Sequence, residues 1–460
     1  MAFLDAFVVN VALPTIDEEL GLGLSGEQWI FLSYSLALAA LYLPAGALGD
    51  RYGYANTFVV GVTGFALSSL LAGLAPSSEV LIAARAVQGV FGALLTPGSL
   101  ALLRATFKDE AGQAIGAWTA WTGIATAAGP VVGGAIVETV SWRVIFLLNI
   151  PLAAVTVIFT LVSRDTCRTQ LRHRRLDPAG IVLGAIGVGT LVWALVEGPE
   201  SGFGSTGVVL SFAVAAVSLG AFVLVESRVA EPMMPLSLFR IRELSVANLA
   251  TFFVYAALGS ALFFLVLFAQ SVLSYSPTEA GLVVAPISII LLLLAARFGR
   301  AADRLGPRGF LVGGPLLIAL GLALLSRLDA SSSYWVDVFP ALVVFSIGLA
   351  ATVPAITSTA LKPAPEGLTG IASGINTTVS RLGQLVAVAA LGVVVSFVFG
   401  AAHGSPFELG ERSAAELADA AGAFQAAMWV TAGLAVVGAA VSAVGLRARR
   451  EETERARGTV

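Results

Sequence analysis

The sequence predicts an all-α membrane protein of fourteen transmembrane helices, built as two pseudo-symmetric six-helix bundles with two helices inserted between them. Three observations carry that expectation. Apolar residues make up 57% of the 460-residue chain and charged residues only 12%, with a mean hydropathy of +0.90, whereas a soluble chain carries about 25% charge. The apolar residues gather into runs long enough to cross a bilayer, roughly 20 residues each. One short polar pattern also occurs twice. Gly46, Asp50, Arg51 and Gly53 return as Gly299, Asp303, Arg304 and Gly306, 253 positions later. A single Asp-Arg before Gly is ordinary turn chemistry. Two copies at one offset, each between the second and third spans of a six, point to a duplicated bundle.

Taken in order, the opening segment 1–16 is the first span, short at about 24 Å. That length points to a start further upstream or to a thinned bilayer. The next five spans fall at roughly 29–48, 55–75, 80–103, 112–137 and 143–162, completing a six-helix bundle over 1–162. Residues 163–177 form a basic linker that holds the one cysteine, Cys167, so no internal disulfide is possible. Two inserted spans, 178–196 and 207–225, occupy 178–225, and a connection at 226–244 follows. The second bundle, 245–446, takes in spans at 245–273, 279–296, 309–327, 336–358, 369–399 and 424–446, and 447–460 is a tail. The segments around Asp50 and Asp303 read as tight loops at the membrane surface.

Charge placement tests the count. With the N-terminus inside, 21 of the 26 Lys and Arg fall in cytoplasmic segments and three outside, Arg143, Arg327 and Arg412. That is the bias the positive-inside rule demands, and a miscounted helix would invert every later loop. Both termini are therefore expected in the cytoplasm. The remaining two cations, Arg85 and Arg381, lie within spans.

Those intramembrane charges are the candidates for function. Asp5 is the one acid placed well inside a span, where a carboxylate costs about 2.5–3.5 kcal/mol even on insertion scales. Burial favours the protonated form of a carboxyl and a nearby cation the ionised form, so a site alternating between the two binds and releases a proton. Arg85 either snorkels to the surface or pairs with Asp5 from the fourth span, with Gln88 on the same helical face. Arg381 lies too deep in the thirteenth span to snorkel readily. It would contact an anionic or carbonyl-rich substrate, or hold the two bundles together. In the fifth span Gly129, Gly133 and Gly134 let another helix approach closely, and Pro130 bends the backbone. Aromatic residues are numerous, but interface belts and lipid-facing packing explain them more often than a pocket does. The chain offers no Gly-rich nucleotide loop, metal-ligand cluster or nucleophile–base pair. An enzyme is not expected, no cofactor is called for, and an ion gradient is the remaining energy source.

Read together, these residues resemble the major facilitator superfamily, and within it the 14-span drug:proton antiporter family. The loop containing Gly46, Asp50, Arg51 and Gly53 is similar to the superfamily's loop 2–3 signature, with Tyr54 and Ala55 in place of its usual basic residues. The run Leu4-Asp5-Ala6-Phe7-Val8-Val9-Asn10-Val11-Ala12-Leu13-Pro14 resembles the family's first-helix motif, with Phe7 for a Thr. Arg85-Ala86-Val87-Gln88-Gly89 fits its fourth span, and Ser141-Trp142-Arg143 through Asn149-Ile150-Pro151 the start of its sixth. Gly116, Ala125, Gly129, Pro130, Gly133 and Gly134 have the spacing of the exporter signature, with Ala125 for a Gly.

The resemblance implies a proton-coupled antiporter that exports lipophilic drugs or antibiotics across a bacterial inner membrane. Asp5, Arg85 and Gln88 would couple the proton, and Asn10 would join Arg381 as a substrate or inter-bundle contact. Asp50 would dock on the start of the thirteenth span near Thr369, and Asp303 on the start of the fifth near Gly112, gating the cytoplasmic side. The expected partners are a small lipophilic substrate, protons and the lipid bilayer, with no nucleic acid, and the expected unit is a functional monomer. Two rivals are a metabolite importer of the same superfamily and a membrane sensor or scaffold that has lost transport. The fifth-span signature opposes the first, and a buried acid opposes the second. No second buried acid is expected in the spans, which disfavours a dicationic substrate.

Overall fold

The computed structural model describes residues 1–107, 111–162, 177–229, 231–365, 368–400, 406–407, 409–410 and 412–446. The linker and tail with their arginines, Cys167, His173 and His403 lie outside it. Every regular element among the described residues is helical. The helices are α1 (Ala2–Leu20), α2 (Gly23–Tyr52), α3 (Tyr54–Gly73), α4 (Ser78–Thr106), α5 (Ala111–Thr139), α6 (Trp142–Leu147) and α7 (Asn149–Val162). Then come α8 (Pro178–Ser201) and α9 (Thr206–Glu226). The last group is α10 (Arg242–Ser271), α11 (Pro277–Val283), α12 (Ala285–Leu305), α13 (Arg308–Leu325), α14 (Phe339–Leu361), α15 (Thr369–Phe399) and α16 (Ala414–Gly445).

Twelve helical segments among the described residues are long and apolar enough to cross a membrane, with α6–α7 and α11–α12 each counting as one. The chain is thus an all-helical, multi-pass membrane protein. Two more long helices, α1 and α5, are not in that set. Four acids (Asp5, Asp17, Glu18 and Glu19) make α1 the more polar of the two.

Several helices outrun their apolar stretches because caps outside the hydropathy pattern extend them. The Asp17 carboxylate accepts the backbone N–H groups of Leu22 and Gly23, both at 2.7 Å, and starts α2 six residues before Trp29. Ser413 and Glu416 form a reciprocal capping box that starts α16 at Ala414, ten residues before the apolar run at 424. At the other end of α2 the segment read as a loop is helical. α2 continues to Tyr52 and breaks only at Gly53, whose φ of 87° suits a residue without a Cβ. The second copy behaves alike, with α12 running to Leu305 and Gly306 at φ 94°. Charged residues in a last helical turn read as loop in a hydropathy profile, although two turns of helix carry them here.

The packing repeats. In the first seven helices α2 and α3 lie against α4, and α1 against α5. In the last seven α12 and α13 lie against α14, and α10 against α15. Across the two groups α5 meets α11 as α15 meets α2, and α1 meets α10. α8 and α9 pair with each other, and α8 lies along both α2 and α15.

Candidate functional site

Seven residues from six helices meet in a sealed polar cluster inside the first group of helices. Asp5 on α1 is 2% exposed, and Ser69 on α3, Arg85 and Gln88 on α4 and Asn149 on α7 are fully buried. One Asp5 oxygen, Oδ2, accepts from Arg85 Nη1 in a buried ion pair. The other, Oδ1, accepts from Gln88 Nε2 at 2.9 Å and from Asn149 Nδ2 at 3.0 Å. Ser69 Oγ takes a second hydrogen bond from each amide, at 2.7 and 3.3 Å. Arg85 also donates to Gln88 Oε1 at 2.6 Å and to the Ile30 carbonyl at 3.3 Å. Its guanidinium lies over the Tyr34 ring of α2 at 4.3 Å, with Phe146 of α6 at 5.8 Å. The cluster is buried from solvent, and ion pairs gain strength in a low dielectric. The carboxylate accepts three hydrogen bonds in all, one of them from a guanidinium.

Arg85 therefore pairs inward rather than snorkelling. Gln88 joins it through the i, i+3 relation on α4. Ser69 and Asn149 escaped sequence reasoning, although Asn149 stands as a lone amide within an apolar run, a signal that had no partner attached to it.

The seam between the two groups of helices is built on missing side chains. A Cβ at Gly134 of α5 would stand 2.2 Å from the Pro277 carbonyl of α11, and one at Gly281 of α11 would stand 2.3 Å from the Pro130 carbonyl. The two backbones are in contact at the α1–α2 end of the molecule. Gly133 faces Val8 of α1 across the same helix, and Gly129 and Pro130 are buried. Further hydrogen bonds cross here: Gln28 Nε2 to the Val388 carbonyl at 2.7 Å, Gln270 Nε2 to that of Val11 at 2.9 Å, and Thr278 N to Glu138 at 3.3 Å.

Asn10 donates to the Leu262 carbonyl at 3.2 Å and lines a cavity of about 160 Å³ between α1, α5, α10, α12 and α14. Thr126, Pro130, Tyr255, Val284 and Leu291 share its walls. Asn10 Oδ1, buried, has no hydrogen-bond partner among the described residues. Arg381 is half-buried and lies within electrostatic reach of Tyr34 and Tyr42 on α2 and of Tyr255 in the cavity wall.

At the opposite, α2–α3 end, Arg51 is exposed with its guanidinium 5.4 Å from the Tyr52 ring, and Arg304 is exposed. Asp303 pairs with Lys362 beyond α14 at 2.6 Å. A Cβ on Gly46 would meet open space, and one on Gly299 would lie 3.3 Å from Pro354. The Asp50 side chain lies outside the described residues.

The expectation of one intramembrane acid needs correction. Glu27, in the second turn of α2, is completely buried. Hydropathy opens that span at Trp29 and leaves Glu27 outside, whereas the Asp17 cap begins the helix at Gly23 and carries Glu27 into the packed interior. The argument against a dicationic substrate falls with it. Glu197 is a lesser case: α8 runs past 196, and its carboxylate accepts from Trp29 Nε1 at 3.0 Å.

The sequence profile of the Major Facilitator Superfamily matches residues 1–388. The chain belongs to the major facilitator superfamily. It is therefore a transporter rather than an enzyme, in a superfamily whose members generally use ion gradients and need no cofactor. Its similarity to a tetracenomycin C resistance and export protein of Streptomyces glaucescens is 35% identity, over 92% of this chain and 79% of that one. With the multidrug resistance protein Stp of Mycobacterium tuberculosis it shares 37% identity, over 86% of this chain and 74% of the relative. The multidrug efflux pump LfrA of Mycolicibacterium smegmatis is 34% identical, over 85% and 77%. Among solved structures, an inward-facing bacterial homologue of the lysosomal transporter Spinster superposes with a TM-score of 0.67 at 18% identity, covering 96% of this chain and 94% of that one. An auto-inhibited POT family peptide transporter gives 0.68 at 14%, with the same coverage. These two likenesses concern the superfamily fold alone.

Proposed function

We propose that this transporter exports small lipophilic drugs or antibiotics in exchange for inward-moving protons, by alternating access. The observation that carries the export direction is the run of resistance and efflux proteins that match it along 85–92% of its length. The Asp5 cluster supports proton exchange, because a buried acid ringed by movable donors can trade them for a proton. We assign Asp5 as the carrier and Arg85 and Gln88 as the groups that set its affinity.

The cavity beside Asn10 and Tyr255 supports a lipophilic cargo, with Asn10 Oδ1 as a lone acceptor for it. Drug-sized sites run to about 300–1,000 Å³, so a bound substrate would require the bundles to part further than they do here. Arg381 is assigned to substrate or inter-bundle contact. The Gly129, Pro130, Gly133 and Gly134 face of α5 is assigned to closing the seam, and Gly46, Asp50, Arg51, Gly53, Gly299, Asp303, Arg304 and Gly306 to gating the α2–α3 end.

The finer architecture belongs to the same proposal. α1 and α5 join the twelve apolar segments to make fourteen spans. Six lie in each bundle, 1–162 and 245–446, and α8 and α9 between them. We assign the protein to a bacterial inner membrane as a functional monomer, and the charge bias supports an orientation with the α2–α3 end and both termini in the cytoplasm. A drug-susceptibility panel in a strain stripped of its own pumps tests the function. Raised tolerance to lipophilic compounds, with uptake of the same compounds into inverted vesicles, is the expected result. Uptake into intact cells instead would overturn the export reading.

A further inference from the structure

Glu27 is the one carboxyl in the described structure whose two oxygens are both buried without a hydrogen-bond partner. Its surroundings compensate only in part. From α1 it faces Asp17, a second acid whose Oδ1 is already committed to the backbone of Leu22 and Gly23. From the foot of α16 it faces Arg412, which attracts it without bonding to it and donates instead to the Pro406 carbonyl at 2.6 Å. α8 contributes Glu197, whose carboxylate is held by Trp29 and Ser25, residues on either side of Glu27 in the chain. α15 contributes backbone, the Val388 carbonyl that Gln28 bonds and the Gly392 against which Gln28 packs.

A bare carboxylate so enclosed is among the most costly groups a protein can bury. The ligand that removes the charge without needing space is a proton. The position matters as much as the burial. Gln28, the next residue, makes one of the hydrogen bonds that close the α1–α2 end of the seam, so parting the bundles there brings water to Glu27.

We propose that Glu27 is a second proton-binding site, which holds its proton while the α1–α2 end is closed and gives it up when that end opens. The proposal rests on alternating access and not on Asp5. An exposed glutamate ionises near pH 4.3, so above that pH each opening releases one proton and each closure takes one up. Linkage then makes opening more favourable by about tenfold per pH unit.

The test reads accessibility rather than transport. Val388→Cys is introduced into a Cys167→Ser, Asp5→Asn protein in lipid nanodiscs and labelled with a maleimide between about pH 5.5 and 8. Rates are normalised to those of the same cysteine in unfolded protein at each pH. With Glu27 intact the normalised rate should climb with pH, approaching tenfold per unit, and Glu27→Gln should flatten it. Glu27→Ala gives the same reading should the amide variant fold poorly. A flat profile with Glu27 present, or a slope that survives both substitutions, overturns the proposal. Neither result bears on whether the protein effluxes drugs, and a failed efflux assay leaves this test intact.

Discussion

Asp5 on α1 and Arg85 on α4 form a buried ion pair within the first group of helices. Two amides, Gln88 and Asn149, hold the other carboxylate oxygen. A charged pair of this kind is a poor investment for stability alone, since well-packed apolar residues of the same volume often do as well or better. Its worth lies in having a second state.

Removing the cation should expose that second state. Arg85→Ala removes the cation paired with the Asp5 carboxylate and leaves it amide donors, and a nearby cation favours the ionised form of a carboxyl. The pH optimum of efflux should move upward. Thermal unfolding should also come earlier, since breaking a buried pair costs about 3–5 kcal/mol. Arg85→Lys keeps the charge but loses the planar fork, and should recover the optimum in part. The pH–rate profile of the three proteins in proteoliposomes is the check.

Asn149 gives a graded case. A hydrogen bond to a charged group is worth about 1.5–3 kcal/mol, which amounts to roughly ten- to a hundredfold in an equilibrium between two states. Asn149→Leu should slow efflux by at least about tenfold without abolishing it, and Asn149→Gln should do less damage. Initial rates matched for protein level decide the matter. Wild-type rates in Asn149→Leu would make the amide an ordinary packing group.

At the seam, the contact is backbone against backbone and cannot yield as a flexible side chain would. Gly134→Val would drive a β-branched side chain into the Pro277 carbonyl. The expected outcome is normal expression, loss of transport, and faster labelling of a cysteine at position 388 because the α1–α2 end no longer shuts. Labelling and transport both at wild-type levels would remove the seam from the mechanism.

Much of this site was legible in the chain because its signals are local or strongly patterned. Asp5 is conspicuous as a charge in an apolar run, and Arg85 and Gln88 share a face by helical spacing. The Gly-Pro-x-x-Gly-Gly pattern announces close approach, and Gly134 and Gly281 make that approach in the structure. What escaped depends on distant partners. Ser69 and Asn149 gain a meaning only when the fold brings Asn149 to the Asp5 carboxylate and Ser69 to the amides that hold it. Glu27 was hidden by a helix start that Asp17 creates from the preceding helix, a cap no hydropathy window registers. The charged ends of α2 and α12 read as loops for the converse reason: charge lowers hydropathy, while only a positive-φ glycine ends the helix.

The measurement that bears most directly on the central claim is substrate-driven proton movement in proteoliposomes carrying wild type or Asp5→Asn. A lipophilic substrate identified by the susceptibility panel is supplied on one side, and a trapped pH dye reports on the other. The wild type should move protons against the substrate flux, and a pH gradient alone should drive substrate uphill. Asp5→Asn should bind substrate, fold normally, and do neither. If Asp5→Asn accumulates substrate under a pH gradient at the wild-type rate, Asp5 is not the proton carrier and the account built on its cluster is wrong.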